Sequence, residues 1–121
     1  MTPTPRILEA VYNLICSLPP VCNWKMPKSK DVVFVVKDRL FIDDEKTEEC
    51  YALYTSDGLT HEISVSKEKN KTFEEILTSM LHECIHLRRS GKSSKWELHD
   101  AVFKKYAKLI CEEYGITRID F

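Results

Sequence analysis

Glycine is scarce in this sequence, with three among 121 residues. Few joints are therefore available for hinging, and a single domain spanning residues 1–121 is the expected organisation. The five cysteines (Cys16, Cys22, Cys50, Cys84, Cys111) are odd in number and form no Cys-x-x-Cys pair. That pattern argues against a disulfide framework or a zinc ribbon and favours a reducing, cytoplasmic setting. No apolar run approaches the roughly 18 residues needed to cross a bilayer. The opening Met1-Thr2-Pro3-Thr4-Pro5-Arg6 has neither the charged start nor the apolar core of a secretory signal. No membrane partner is expected. Nor is there an excess of one charge: the formal net charge is −1 at pH 7.

What is present is ordinary globular composition, 43% hydrophobic and 31% charged, which excludes a largely disordered chain. At this length about two-thirds of the unfolded surface can be buried, so folding needs no cross-links. The near-neutral total conceals a dipolar chain. From Asp31 to Glu83 there are thirteen acidic residues against six basic ones; from Arg88 to Lys108 there are seven basic against two acidic. No internal repeat or low-complexity tract interrupts the sequence.

Thr4-Pro5 reads as an N-cap followed by proline at the first helical position, where its missing N–H costs nothing. Ile7, Leu8, Val11, Leu14, Ile15 and Leu18 recur at helical spacing until Pro19-Pro20 stops the helix. Val32 to Ile42 is rich in β-branched residues and reads as a strand buried on both faces for part of its length. The acidic stretch after it reads as a solvated loop. Tyr51–Thr55 and Glu62–Ser66 read as two strands joined through the turn residues Ser56-Asp57-Gly58, the second with one wet face. Thr72-Phe73-Glu74-Glu75 is a capping box opening a helix that runs to about Arg89, with Gly91 ending it. Ser94-Lys95-Trp96-Glu97 reads as a second capping box, opening a helix to about Tyr114 that stops at Gly115. The expected fold class is α+β: an N-terminal helix, three strands, then two helices.

Within the second helix stands His82-Glu83-Cys84-Ile85-His86. Residues four apart share a helical face, so both imidazoles can reach one metal ion. Glu83 is rotated about 100° from His82, beside the metal, where a general base must stand to take a proton from a bound water. Catalytic zinc takes three protein ligands and keeps a fourth position open. His99 is the preferred third ligand, on the next helix with Val102, Phe103, Tyr106 and Ile110 on its inward face. His61, Glu97, Glu112 and Glu113 are the other candidates. Cys84, between the histidines, is expected to point partly into the core.

In these residues the sequence resembles the SprT-like zinc metallopeptidases, from about Thr60 to Gly115. The strand His61-Glu62-Ile63-Ser64-Val65-Ser66, the segment Ile76 to His86 with its His-Glu-x-x-His, and the stretch His99-Asp100-Ala101-Val102-Phe103 carry the resemblance. In that family the last stretch is His-Gly-x-x-Phe. The resemblance implies a zincin-like fold, one Zn²⁺ per chain held by His82, His86 and His99, and Glu83 as catalytic base. It implies hydrolysis of peptide bonds in protein or peptide substrates, with DNA-associated proteins among them. Asp100 departs from the family glycine, and the cysteine-rich ribbon of longer relatives is missing, so any DNA contact must use this domain's own surface. An extended substrate would add to the third strand if that strand is an edge, and Tyr106 or Tyr114 would stabilise the oxyanion.

Two further readings stay open. An ImmA-like peptidase that cleaves a regulator would take a downstream carboxylate, Glu112 or Glu113, as third ligand. A non-catalytic module would keep zinc for structure or act as a decoy. The basic residues Arg88, Arg89, Lys92 and Lys95 are either a solvated turn or a phosphate-binding rim beside the metal, and Trp96 either a core anchor or a stacking platform for an unpaired base.

Overall fold

The computed structural model describes residues 1–117. Its regular elements are α1 (Pro5–Ser17), β1 (Val32–Lys37), β2 (Leu40–Phe41), β3 (Glu49–Cys50), β4 (Ala52–Ser56), β5 (His61–Ser66), α2 (Phe73–Ser90) and α3 (Ala101–Tyr114). The domain is α+β, with three α-helices and a small three-stranded sheet of order β1-β5-β4. No helix among the described residues is long and apolar enough to cross a membrane.

The helix signals act as their chemistry requires. Thr4 caps α1 by accepting the Ile7 N–H at 3.1 Å, with Pro5 in the first turn. The Thr72 box closes reciprocally: its hydroxyl accepts from Glu75 N–H at 3.1 Å, and the Glu75 carboxylate accepts from Thr72 N–H at 3.0 Å. Gly115 ends α3 at φ +67°, the left-handed conformation that glycine adopts without a Cβ penalty. Leu8, Tyr12 and Ile15 of α1, Ile63 and Val65 of β5, and Ile76, Met80, Leu81, Cys84 and Ile85 of α2 form the core. Cys84 is fully buried within it.

Three expectations are corrected. Residues 94–97 form turns, and α3 begins at Ala101. Asp100 is the N-cap, accepting the Phe103 N–H at 3.1 Å, so His99 stands on the loop just before the helix. A carboxylate that both caps the helix and pairs with Arg89 anchors the start there, six residues later than the Ser94 box implied.

The second correction concerns the first strand, which breaks after Lys37; of β1 only Val32 is buried, and Val33 is 53% exposed. It lies at one edge of the sheet, parallel to β5, which leaves less to cover it than a central strand has.

The third concerns β5. It is the central strand, paired with β1 on one side and antiparallel to β4 on the other. It therefore offers no free edge, and its serine face is dry: Ser64 and Ser66 are buried. Their hydroxyls are satisfied locally, Ser64 donating to Glu62 and Ser66 accepting from the Lys69 N–H. Among the described residues, the edge without a strand partner beside the histidines belongs to β4. Ser66 donates its N–H to Tyr51 O, and pairing alternates along an antiparallel ladder, so the main-chain groups of Ala52 and Tyr54 face away from β5.

Asn70, fully buried, joins these pieces. Its amide donates to Tyr51 O at 3.0 Å and Ser66 O at 2.8 Å, and its carbonyl accepts from the Ser79 hydroxyl at 2.6 Å. One side chain thus fixes the start of β4, the end of β5 and the middle of α2. Asn70→Ala leaves the Ser66 carbonyl and the Ser79 hydroxyl without this partner and should lower stability by about 2–4 kcal/mol in urea denaturation.

Candidate metal centre and its cleft

Because α2 is regular from Phe73 to Ser90, Thr78, His82 and His86 project from one face at successive turns. The chain then turns back through residues 91–100 and delivers His99 to the same point. One ligand atom from each of His82, His86 and His99 lies within 4.8 Å of the others. His99 Nε2 is 3.2 Å from His82 Nε2 and 3.1 Å from His86 Nε2. Three nitrogens at 2.0–2.1 Å from a tetrahedral zinc would stand roughly 3.3 Å apart, so the spacing suits such an ion.

Proton accounting leads to the same place. A neutral imidazole carries one hydrogen. His86 Nδ1 lies 2.8 Å from the Trp96 carbonyl, an acceptor only, which places that hydrogen on Nδ1 and leaves Nε2 with a lone pair. His99 Nε2 meets two ring nitrogens and can carry at most one hydrogen, so both contacts cannot be hydrogen bonds to neutral rings. Burial holds His86 below the ordinary histidine pKa, and partial desolvation lowers that of His99, whose ring is otherwise more exposed, which favours the neutral, ligating form. Three ring nitrogens converging on one point, one of them held as a lone pair, are a donor set that suits a cation. His82, His86 and His99 are positioned to hold a metal ion.

The rings are held from behind. Phe103, almost fully buried, sits with its centroid 4.5 Å from His99 and 4.9 Å from both His82 and His86. The loop is held by Arg89, only 5% exposed, which donates to Leu98 O at 2.8 Å and forms a two-pronged pair with Asp100 at 3.0 Å. Asp100, which stands where the resemblance expected glycine, is thus turned to Arg89 and to the helix start. Its pKa is lowered by the Phe103 N–H and by Arg89.

Glu83 is buried at the same cleft, and desolvation pushes its pKa up to about 8, opposed by a hydrogen bond from the Tyr54 main chain. A divalent cation nearby would pull it down again. The cleft has a volume of about 650 Å³ and is bounded by β4 on one side and by Thr78, His82, Glu83 and His86 on the other. Cys50 and Tyr54, which sequence reasoning passed over, also line it. Burial and the Glu83 charge push the Cys50 thiol up to about 11, so it is protonated at neutral pH. Among the described residues, no lysine or arginine lines the cleft.

Other candidates lie elsewhere or are already engaged. The Tyr54 hydroxyl bridges His61 Nδ1 at 2.6 Å and Ser90 Oγ at 2.9 Å. Ser90 donates onward to Leu87 O, so Tyr54 donates to Ser90 and accepts from His61. His61 therefore clamps the sheet to the end of α2 and is absent from the histidine cluster. Glu112 and Glu113 are exposed near the end of α3, outside that cluster as well. Tyr106 packs edge-on against Trp24 at 4.9 Å, and neither it nor Tyr114 lines the cleft. Trp96 packs edge-on against Tyr54 at 5.2 Å and forms part of the wall.

Of the basic residues, Arg88 and Arg89 lie in the last turn of α2, not on a loop: Arg89 is buried and Arg88 is half-buried, donating to Trp24 O at 3.1 Å. Lys92 and Lys95 remain exposed. Comparison with protein-family models, curated proteins and solved structures found no match.

Metal analysis of the purified protein should return one ion per chain. His99→Ala should weaken binding at least about 100-fold, while Glu113→Ala leaves it unchanged. Arg89→Met, which frees the loop and leaves the ligands intact, should cost about 10–100-fold in affinity in a competitive chelator titration.

Proposed function

We propose that this chain is a zinc-dependent peptidase of the SprT-like kind, with His82, His86 and His99 as ligands and Glu83 as general base. The observation that carries the reading is the convergence of three imidazole nitrogens beside a buried carboxylate at the wall of an open cleft. A set of three histidines with a position left open is a donor arrangement that catalytic zinc uses. When bound, zinc supplies a Lewis acid for the scissile carbonyl and lowers the pKa of water toward neutrality.

The protein's own groups do the rest. Glu83 takes the proton from the attacking water and returns it to the leaving amine, a task suited to a carboxylate in a dry site. The Tyr54 main chain orients that carboxylate. The outward carbonyls of Ala52 and Tyr54 on the edge strand β4 offer partners to an extended peptide, giving affinity without dependence on sequence. Phe103 and Arg89 keep the ligands in place.

This reading is preferred over a peptidase with a carboxylate ligand because neither Glu112 nor Glu113 joins the histidine cluster. It is preferred over a structural zinc module because structural zinc sites close their fourth position with a protein ligand, and no fourth side chain joins the cluster among the described residues. Action on DNA-associated proteins is part of the proposal through the exposed lysines 92, 95, 104, 105 and 108. Such contact would be with phosphate and would weaken steeply with salt.

With zinc bound, the wild type should cleave an unfolded protein such as casein, tested with and without single-stranded DNA. Glu83→Gln should retain the metal and lose about 10²–10⁴-fold in rate. One zinc per chain with no hydrolysis under any condition would return the assignment to a binding module.

A further inference from the structure

Ile42 is 58% exposed and stands on the wall of the cleft. Single apolar side chains are common on open protein surface and need no explanation there. On a cleft wall, the water such a side chain holds is released when a ligand enters, so it biases what enters. Its place along the cleft follows from the strands. Leu40 pairs with Cys50 and Phe41 with Glu49, and the Ile42 N–H donates to Glu48 O, so Ile42 sits near the start of β4. Asn70 ties that start, through Tyr51 O, to Ser79 of α2, whereas the Tyr54 hydroxyl reaches Ser90 further along. β4 and α2 therefore run in the same direction. Ile42, Cys50 and Ala52 form the end of the cleft beside Thr78, one helical turn before His82.

This end of the cleft is apolar. Ala52 presents a methyl group, and Cys50 a protonated thiol, which behaves as a small hydrophobe. The helix offers no polar atom in reply: the Thr78 hydroxyl is sealed from solvent, and the Ser79 hydroxyl is engaged by Asn70. Glu48 and Glu49 do not line the cleft, and Glu49 is held by Arg39 at 2.8 Å. Among the described residues, the carboxylates that do line it are Glu83 and Glu97. Together they offset a bound divalent ion, so net charge favours neither an acidic nor a basic side chain. A charged or amide side chain entering this end would lose its water and gain no partner. An aliphatic or aromatic one would leave water for contact with Ile42, Cys50 and Ala52. A chain added to the edge of β4 sends alternate side chains toward α2. One helical turn spans about 5.4 Å and an extended residue advances about 3.3 Å, so the side chain seated here lies within about two residues of the bond cleaved at the metal.

We infer that Ile42, with Cys50 and Ala52, forms an apolar subsite that selects a large aliphatic or aromatic substrate side chain close to the scissile bond. The substrates are then segments of the kind that folded proteins bury, presented by unfolded or misassembled chains. This rests on the peptidase reading.

The test compares Ile42→Asn, close in size but polar, and Ile42→Leu, which stays apolar, with wild type. All are used as the zinc-loaded full chain. Both variants should melt within about 3 °C of wild type, because the side chain is more than half exposed. A larger fall in Ile42→Asn would make the side chain a fold contact and overturn the inference. Otherwise identical peptides carry Leu, Asn, Lys or Glu at each position flanking the cleaved bond in turn. At one of those positions Leu should be preferred over the other three by at least about tenfold. Ile42→Asn should reduce that preference below about threefold, and Ile42→Leu should retain it. No preference, a preference for Asn, Lys or Glu, or a Leu preference unaltered in Ile42→Asn overturns the subsite and leaves the peptidase reading standing. If wild type cuts none of them, the peptidase reading fails. The same peptides titrated onto zinc-loaded Glu83→Gln, followed by tryptophan fluorescence since Trp96 lines the cleft, then judge the subsite separately. Tighter Leu binding that Ile42→Asn weakens supports it, and equal affinity for all four overturns it.

Discussion

At His99, one ring nitrogen approaches two others, and a neutral ring has at most one hydrogen to share between them. The surrounding structure brings the three rings to one point. The Trp96 carbonyl fixes the tautomer of His86, Phe103 packs against all three rings, and desolvation disfavours the charged forms of His86 and His99. Much of the domain's polar machinery can be understood as holding this arrangement together. Arg89 and Asp100 hold the returning loop, Asn70 and Ser79 hold the strand opposite, and Tyr54 ties that strand to the end of α2.

The division of labour between elements follows from the strength of local rules. A helix sets the spacing of side chains four apart without help, so two ligands and the neighbouring carboxylate come from one regular segment. The third ligand has no such guarantee. It depends on a loop of about ten residues whose shape is dictated by one buried guanidinium and one helix cap. The sheet adds a third requirement, since only a strand with an unpaired side can face the cleft and still present main-chain groups to a ligand.

These differences explain what could be read in advance. His82-Glu83-x-x-His86, the Thr72–Glu75 box and the Gly115 stop are short-range signals whose meaning needs no partner, and each acts as its chemistry suggests. His99 is legible from the apolar face it would share with Val102, Phe103, Tyr106 and Ile110 on a helix beyond the turn, although the structure puts it on the loop just before that helix. What stayed hidden depends on distant contacts. Ser94 and Glu97 have the spacing of a cap, but Asp100 wins because Arg89 reaches it across the turn. Ser64 and Ser66 look solvent-facing until the strand is known to be central. Arg88 and Arg89 look like surface charge in the sequence, and only the folded chain shows one of them buried and the other half-buried. Thr78, Cys50 and Tyr54 carry no motif, and nothing short of the cleft itself brings them together.

The loop origin of His99 has a further consequence for how such a centre can change over time. A bidentate grip supplied by one rigid rod follows from helix periodicity, whereas the third arm hangs on a tether held by Arg89, by the Asp100 cap and by the Trp96 carbonyl. Lengthening or shortening that tether would alter how tightly the ion is retained while leaving the two helical ligands and the base where they are. Affinity for the cation and integrity of the fold are thereby separable traits, and selection can adjust the first without endangering the second.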